Sequence, residues 1–91
     1  MEKVLWHLLT ATRGGTNRVR ILNELSERPK TASQLADDLN VTYKTVRYHL
    51  DILEDHHVVG PGEENYGQLY FLTDRFYNHN DTFEDILEQV E

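Results

Sequence analysis

The stretch from Thr31 to Asp55 constrains this chain more than any other part of it. It opens on Thr31-Ala32-Ser33-Gln34, a capping box: the threonine hydroxyl accepts the amide three residues on, and the glutamine reaches back to the threonine amide. The helix opened this way keeps Ala32, Leu35, Ala36 and Leu39 on one side. Asn40 tolerates the left-handed backbone that stops a helix. Thr42 then caps the next helix, with Val41 and Val46 spaced as a hydrophobic staple around it. That helix runs to about Asp55 and turns Val46, Leu50 and Leu53 inward. Two short helices joined by a tight turn from Leu39 to Thr42 have the spacing of a helix-turn-helix, a spacing that a generic helical hairpin shares.

The flanks narrow the choice. Val4, Leu5, Leu8 and Leu9, with Trp6 beside them, have helical spacing, and Gly14-Gly15 breaks that helix. Thr16 or Asn17 caps a second helix through Val19, Leu22 and Leu25, with Ile21 flanking; Pro29 stops it around Arg28. After Asp55, His57-Val58-Val59 reads as a very short strand, 60–65 as a loop, and Tyr66 to Thr73 as a strand with Leu69 and Phe71 alternating. Three helices followed by a β-hairpin is the winged helix-turn-helix layout, mainly α with a small hairpin (α+β). The expected organisation is one domain over 1–91, with the helix-turn-helix at about 31–55, the wing at about 57–73 and a C-terminal helix at about 74–90. In that last helix Phe76, Phe83 and Val90 are seven apart, with His79 and Ile86 between them, an a/d stripe that suits packing against a symmetry mate. Asn78-His79-Asn80-Asp81 interrupts the stripe, and Asp81 with Glu84 can cap a separate helix there.

Composition enters through charge. The chain has 91 residues, no cysteine and a net charge of −7. Without cysteine there is no disulfide framework, no thiolate metal site and no cysteine nucleophile, which suits a reducing, cytoplasmic setting. No apolar run approaches the ~20 residues of a membrane span, and MEKVLWHLL is too short and polar-flanked for a signal peptide. A chain of this size buries only about 60–65 % of its unfolded surface, so a partner subunit would help. The acid excess argues against a nucleic-acid partner, because binding depends on neutralising phosphates. The sum hides an asymmetry, however. Residues 1–47 carry eight basic and five acidic groups, a net of +3; residues 48–91 carry only Arg75 against eleven acids, a net of −10. One half can meet DNA and the other cannot.

The run LNELSERPKTASQLADDLNVTYKTVRYHLDILEDHHVV resembles the winged helix-turn-helix of ArsR-type transcriptional regulators. Arg18 with Ile21-Leu22 sits where that family has its Arg…Ile-Leu start, and Gln34-Leu35-Ala36 matches the opening of the motif's first helix. Val46, His49-Leu50 and Leu53 match its Val-x-x-His-Leu-x-x-Leu recognition helix, and Val58-Val59 leads into the wing. TRGGTNRVRIL resembles archaeal members in particular. The resemblance covers residues 13–73 well and the terminal helices by architecture only. It implies a homodimeric double-stranded-DNA-binding regulator. The family's metal sensors use cysteines or His/Asp/Glu pairs that this chain lacks, so metal sensing is not carried over.

The residues say how such a protein would bind. Lys44 and Tyr48 point away from the core face of the helix over 43–55, Arg47 borders them, and all three lie in the end that enters a major groove. Arginine and lysine donate to guanine N7 and O6, and tyrosine reaches a phosphate or packs on a thymine methyl. Thr42, Tyr43 and Thr45 stand at the helix N-terminus, where free amides favour a phosphate. The wing brings Tyr66, Gln68 and Asn65 to the backbone or minor groove, and Arg18 is expected at a phosphate, with Arg13 as a second candidate. His49 reads as a structural residue flanking the core. Leu5, Trp6 and Leu9, with Phe76, Phe83, Ile86 and Val90, are the expected dimer interface. His56-His57 point about 100° apart on a helix and do not chelate from one face. No phosphate loop, HExxH or nucleophile elbow is present, so no enzyme, cofactor or metal is expected; an effector stays open. The competing reading is a winged-helix protein-interaction module that binds no DNA.

Overall fold

The computed structural model describes residues 1–61 and 68–90. Helix α1, Glu2–Trp6, runs on into a π-helical turn over His7–Ala11. Helix α2 spans Gly15–Glu27, strand β1 Lys30–Thr31, α3 Ala32–Leu39, α4 Tyr43–Asp55, β2 Val59–Pro61 and β3 Leu69–Leu72. Two helices end the chain, α5 over Asp74–Tyr77 and α6 over Asn80–Val90.

The capping signals hold. Thr31 accepts from the Gln34 amide and the Gln34 side chain takes the Thr31 amide in return. Asn40 adopts φ 56°, and the Val41 amide reaches the Ala36 carbonyl, closing α3 in a Schellman turn. Thr42 accepts from the Thr45 amide at 3.1 Å and so starts α4. Arg20 adds a bond from Nη2 to the Leu39 carbonyl at 2.7 Å, a cation on the last turn of α3.

Three expectations shift. Neither Thr16 nor Asn17 caps α2: the cap is Gly14, which has no side chain to offer. The reason lies in the preceding π turn. A Cβ on Gly15 would sit 2.3 Å from the Leu9 carbonyl oxygen, so α2 begins with its backbone laid directly on that turn and only glycine fits. His57 is not in a strand. It takes φ 60° while the Val58 amide bonds the Leu53 carbonyl, a left-handed stop for α4, and the strand begins at Val59. The C-terminal segment is broken, with Thr73 capping α5 and the second helix starting at Asn80.

The sheet holds one strand not foreseen. Its order is β1-β3-β2, all antiparallel, with Lys30 opposite Tyr70 and Val59 opposite Leu72. β3 turns Tyr70 and Leu72 inward and leaves Leu69 and Phe71 outward, the Phe71 ring lying over Gly60. The two-residue strand β1 thereby ties the connector between α2 and α3 to the base of the wing.

One hydrophobic cluster fills the interior, drawing Leu22 and Leu25 from α2, Leu35 from α3, Val46, Leu50 and Leu53 from α4, and Val58, Tyr70 and Leu72 from the sheet. It also takes residues expected between two copies of the chain. Leu5, Leu9, Phe76, Phe83 and Ile86 are all at most 2 % exposed within this one chain, Phe76 and Phe83 meeting edge to face at 5.2 Å. Phe76, Phe83 and Ile86 of the stripe thus face the core of this chain, on a broken helix whose second half packs on α1. Trp6 keeps part of its ring outside, and the Val90 side chain lies outside what the structure describes.

Lys30 is the one cation sunk beside this core among the described residues without an arginine's fork, and it is satisfied: its ammonium lies 2.9 Å from both Glu24 and Asp38. The hydrogen bonds it donates to those two carboxylates raise its pKa above the usual lysine value, against the pull of burial, and the bond from Lys30 holds Asp38 below the usual carboxylate range.

Candidate nucleic-acid interface

Helix α4 divides cleanly. Val46, His49, Leu50 and Leu53 are buried, which forces the residues between them outward. Tyr43 and Tyr48 are 55 % and 60 % exposed, a large aromatic area left in water by a helix whose other face is core. Lys44 and Thr42 are exposed, and Thr45 is half-buried. The Thr42 hydroxyl is engaged with Thr45, by the amide and by the Thr45 hydroxyl at 2.8 Å.

Arg47 is not a free cation. Its Nη1 donates to the Tyr70 hydroxyl, its Nη2 lies 3.3 Å from Asp51, and its guanidinium carbon stands 5.8 Å from the Tyr70 ring centre. Tyr70 is itself buried on the central strand, so the sheet fixes the guanidinium at the edge of the exposed α4 face. Burial pushes the Tyr70 phenol above its ordinary pKa despite the neighbouring Arg47, so the hydroxyl keeps its proton and its ability to bond.

Arg18 corrects the expectation of a surface cation. It is 4 % exposed: Nη1 donates to the Leu8 carbonyl at 3.1 Å and the Thr12 hydroxyl at 2.6 Å, and Nε donates to His49 Nδ1 at 3.2 Å. The wide π turn explains this. A turn with i→i+5 spacing loosens the usual carbonyl pairing, and Leu8 is left to bond Thr12 and Arg18 instead. His49 is the structural residue expected, buried and bonded. Burial, followed by the Arg18 charge, depresses its pKa, so at neutral pH the ring is uncharged with Nδ1 accepting.

The charge arithmetic changes with these placements. Arg18 and Lys30 are buried, and the exposed Arg20 is tied to the Leu39 carbonyl, so the basic half presents fewer free cations than its sum suggests. Lys44 and Arg47 stand on the α4 face, and Arg13 is exposed, lining a recess with Tyr48 and His49. Gln68 is half-buried just ahead of β3, on the wing side; Tyr66 and Asn65 lie outside the described residues. The sequence missed two parts of this arrangement, the Tyr70 anchor and the Arg18–His49 pair; each joins positions more than twenty apart with no local pattern between them. Among the described residues no group of three or more His, Cys, Asp or Glu is placed to hold a metal ion, and no helix is long and apolar enough to cross a membrane.

The three-helix core, the capped and half-exposed α4 and the three-stranded sheet beside it define a winged helix-turn-helix. Residues 16–59 match the family model "Bacterial regulatory protein, arsR family". The chain is similar in structure to Lactococcus lactis ZitR (TM-score 0.65, 19 % identity, 80 % of this chain and 50 % of that one). It is also similar to reduced HlyU from Vibrio cholerae (TM-score 0.68, 19 % identity, 93 % and 81 %). A third likeness is to the transcriptional regulator BldR from Sulfolobus solfataricus (TM-score 0.75, 17 % identity, 98 % and 65 %). The chain thus spans about half the length of ZitR. No curated protein matches its sequence.

Proposed function

We propose that this chain is a sequence-specific double-stranded-DNA-binding transcriptional regulator that acts as a homodimer in the cytoplasm, with α4 in the major groove. The observation that carries the reading is the exposed face of α4. Tyr43, Lys44 and Tyr48 leave the core side of an arsR-type recognition helix, and Arg47 is held at their edge by the sheet. Lys44 and Arg47 suit guanine edges, and the two tyrosines suit phosphates or thymine methyls. The first amides of α4, behind Thr42 and Thr45, favour a phosphate. Gln68, with Tyr66, serves the wing contact.

With only Lys44 and Arg47 as cations on the α4 face of each protomer, affinity depends on pairing two half-sites about one helical turn apart. The buried stripe moves the dimer contact to the outer side of α1 and α6, where Val4, Trp6 and Leu87 are only partly covered. The archaeal likeness of residues 12–22 and the preference for arginine over lysine, six to three, fit an acidic, salt-tolerant protein. In high salt, phosphate attraction is screened and shape and base contacts supply more of the binding.

The test is a titration of the wild type and of the double variant Lys44→Ala, Arg47→Ala against duplexes recovered by in vitro selection, at two salt concentrations. The double variant should lose at least about tenfold in affinity, each such contact being worth about 1–3 kcal/mol. Equal binding by both proteins removes α4 from the interface. Absence of any salt-dependent binding favours the protein-interaction reading instead.

A further inference from the structure

A recess of about 360 Å³ opens beside the exposed face of α4, between Tyr48 and the start of α2. Its lining is neutral or cationic throughout: Arg18 and His49, Gly14 and Asn17, with Arg13 and Tyr48 at the mouth. Two features of it call for an anion. The first is Arg18. A buried guanidinium normally meets a carboxylate, because an unpaired buried charge costs several kcal/mol. Here its partners are a carbonyl, a hydroxyl and an uncharged imidazole, and no carboxylate lies within 4 Å among the described residues. Its Nη2 has no hydrogen-bond partner among them and lies 3.0 Å from the position a Cβ on Gly14 would take. The second feature is the start of α2. Its cap, Gly14, has no side chain to offer, the Gly15 amide is taken by the Thr12 carbonyl at 3.1 Å, and the positive end of a thirteen-residue helix lies beside the recess that Gly14 and Asn17 line.

His49 adds a donor. Because its Nδ1 accepts from Arg18 Nε, the ring proton sits on Nε2. The Asn17 side-chain oxygen accepts from Arg20, and its amide nitrogen has no partner among the described residues. The glycine at position 14 is what brings these groups together, since a Cβ there would stand 2.6 Å from the His49 ring.

We propose that this recess binds a phosphate oxyanion, with Arg18 Nη2 as its principal donor and the Asn17 and His49 side chains beside it. The anion completes the charge balance of Arg18 from outside the fold. Two sources carry the same chemistry: a free phosphate or phosphomonoester, and a backbone phosphate of DNA lying along Tyr48. The second source rests on the DNA-binding reading above; the first does not.

Inorganic phosphate is the probe. It replaces chloride at constant ionic strength and pH 7.5 while the side-chain nitrogen resonances of Arg18 and His49 are followed by NMR. The expected result is a saturable shift of both signals. Arg13→Glu and, separately, Asn17→Asp, each placing a negative charge at the mouth without touching the Arg18 bonds, should weaken it tenfold or more. A shift that never saturates up to 100 mM phosphate, or that survives both variants unchanged, overturns the proposal. A second arm adds a duplex. If phosphate and duplex compete for the Arg18 and His49 signals, the site takes a backbone phosphate; if phosphate saturates while the duplex leaves those signals unmoved, it takes a free oxyanion. A protein that binds phosphate this way but no duplex refutes the regulator reading and leaves the recess assigned.

Discussion

Removing a single oxygen from Tyr70 tests how the α4 face is set. Tyr70→Phe keeps the buried ring and deletes the hydroxyl that accepts from Arg47. A hydrogen bond to a charged group is worth about 1.5–3 kcal/mol when its loss leaves the charge unsatisfied. The Arg47 side chain is 35 % exposed, so water replaces much of the bond and the net loss should be about 1 kcal/mol. In a domain this small that lowers Tm by about 4–8 °C. The remaining tether, Arg47 to Asp51, is a surface i,i+4 pair worth only about 0.3–0.5 kcal/mol, too weak to hold the guanidinium alone. Ordering a freed side chain at an interface costs about 0.5–1.5 kcal/mol, so affinity for a selected duplex should fall about 2- to 12-fold per half-site. Anisotropy titrations of the wild type, each single variant and Tyr70→Phe with Arg47→Ala form a double-mutant cycle. The loss should vanish when Arg47 is already alanine. Tighter binding by Tyr70→Phe, or an undiminished loss in the Arg47→Ala background, refutes the idea that Tyr70 positions Arg47.

Three further outcomes follow from the same structure. His49 has a depressed pKa in the fold, so the unfolded chain binds the extra proton first; stability should fall as pH drops below about 6.5, and denaturant melts of the wild type should show a slope there that His49→Gln lacks. Lys30→Met removes the counter-charge of Glu24 and Asp38; because those carboxylates are partly exposed, the cost should be about 1–3 kcal/mol, read by urea denaturation and reduced at high salt. His57→Gly relieves a left-handed residue of its side chain and should raise stability by about 0.5–1 kcal/mol, with unchanged helical circular dichroism.

The helix-turn-helix was legible because its instructions are local. Thr31 with Gln34, Asn40 and Thr42 each act on backbone groups within a few residues, and each does in the structure what its spacing implies. What the spacing could not carry was the identity of a partner. The stripe of Phe76, Phe83 and Ile86 has the same period whether it faces a second chain or Leu5 and Leu9 of its own, and the structure chooses the second. Lys30-Thr31 is too short to read as a strand; it pairs only because β3 runs past it. Arg18 carries the polarity of a surface residue, and nothing nearby in sequence announces that a π turn has left Leu8 needing a donor. The outward faces of α4 followed from periodicity, whereas the restraint on Arg47 required Tyr70, twenty-three residues away.

The small strand between α2 and α3 has a mechanical consequence. Since β3 pairs with Lys30-Thr31 on one side and Val59–Pro61 on the other, and reaches across to Arg47 through Tyr70, the base of the wing cannot swing independently of the recognition helix. The two elements are the jaws of a fixed calliper. On a duplex, a fixed opening measures groove width as well as base identity, so sequences with the same contacted bases but different intrinsic widths should be sorted by how well they already fit.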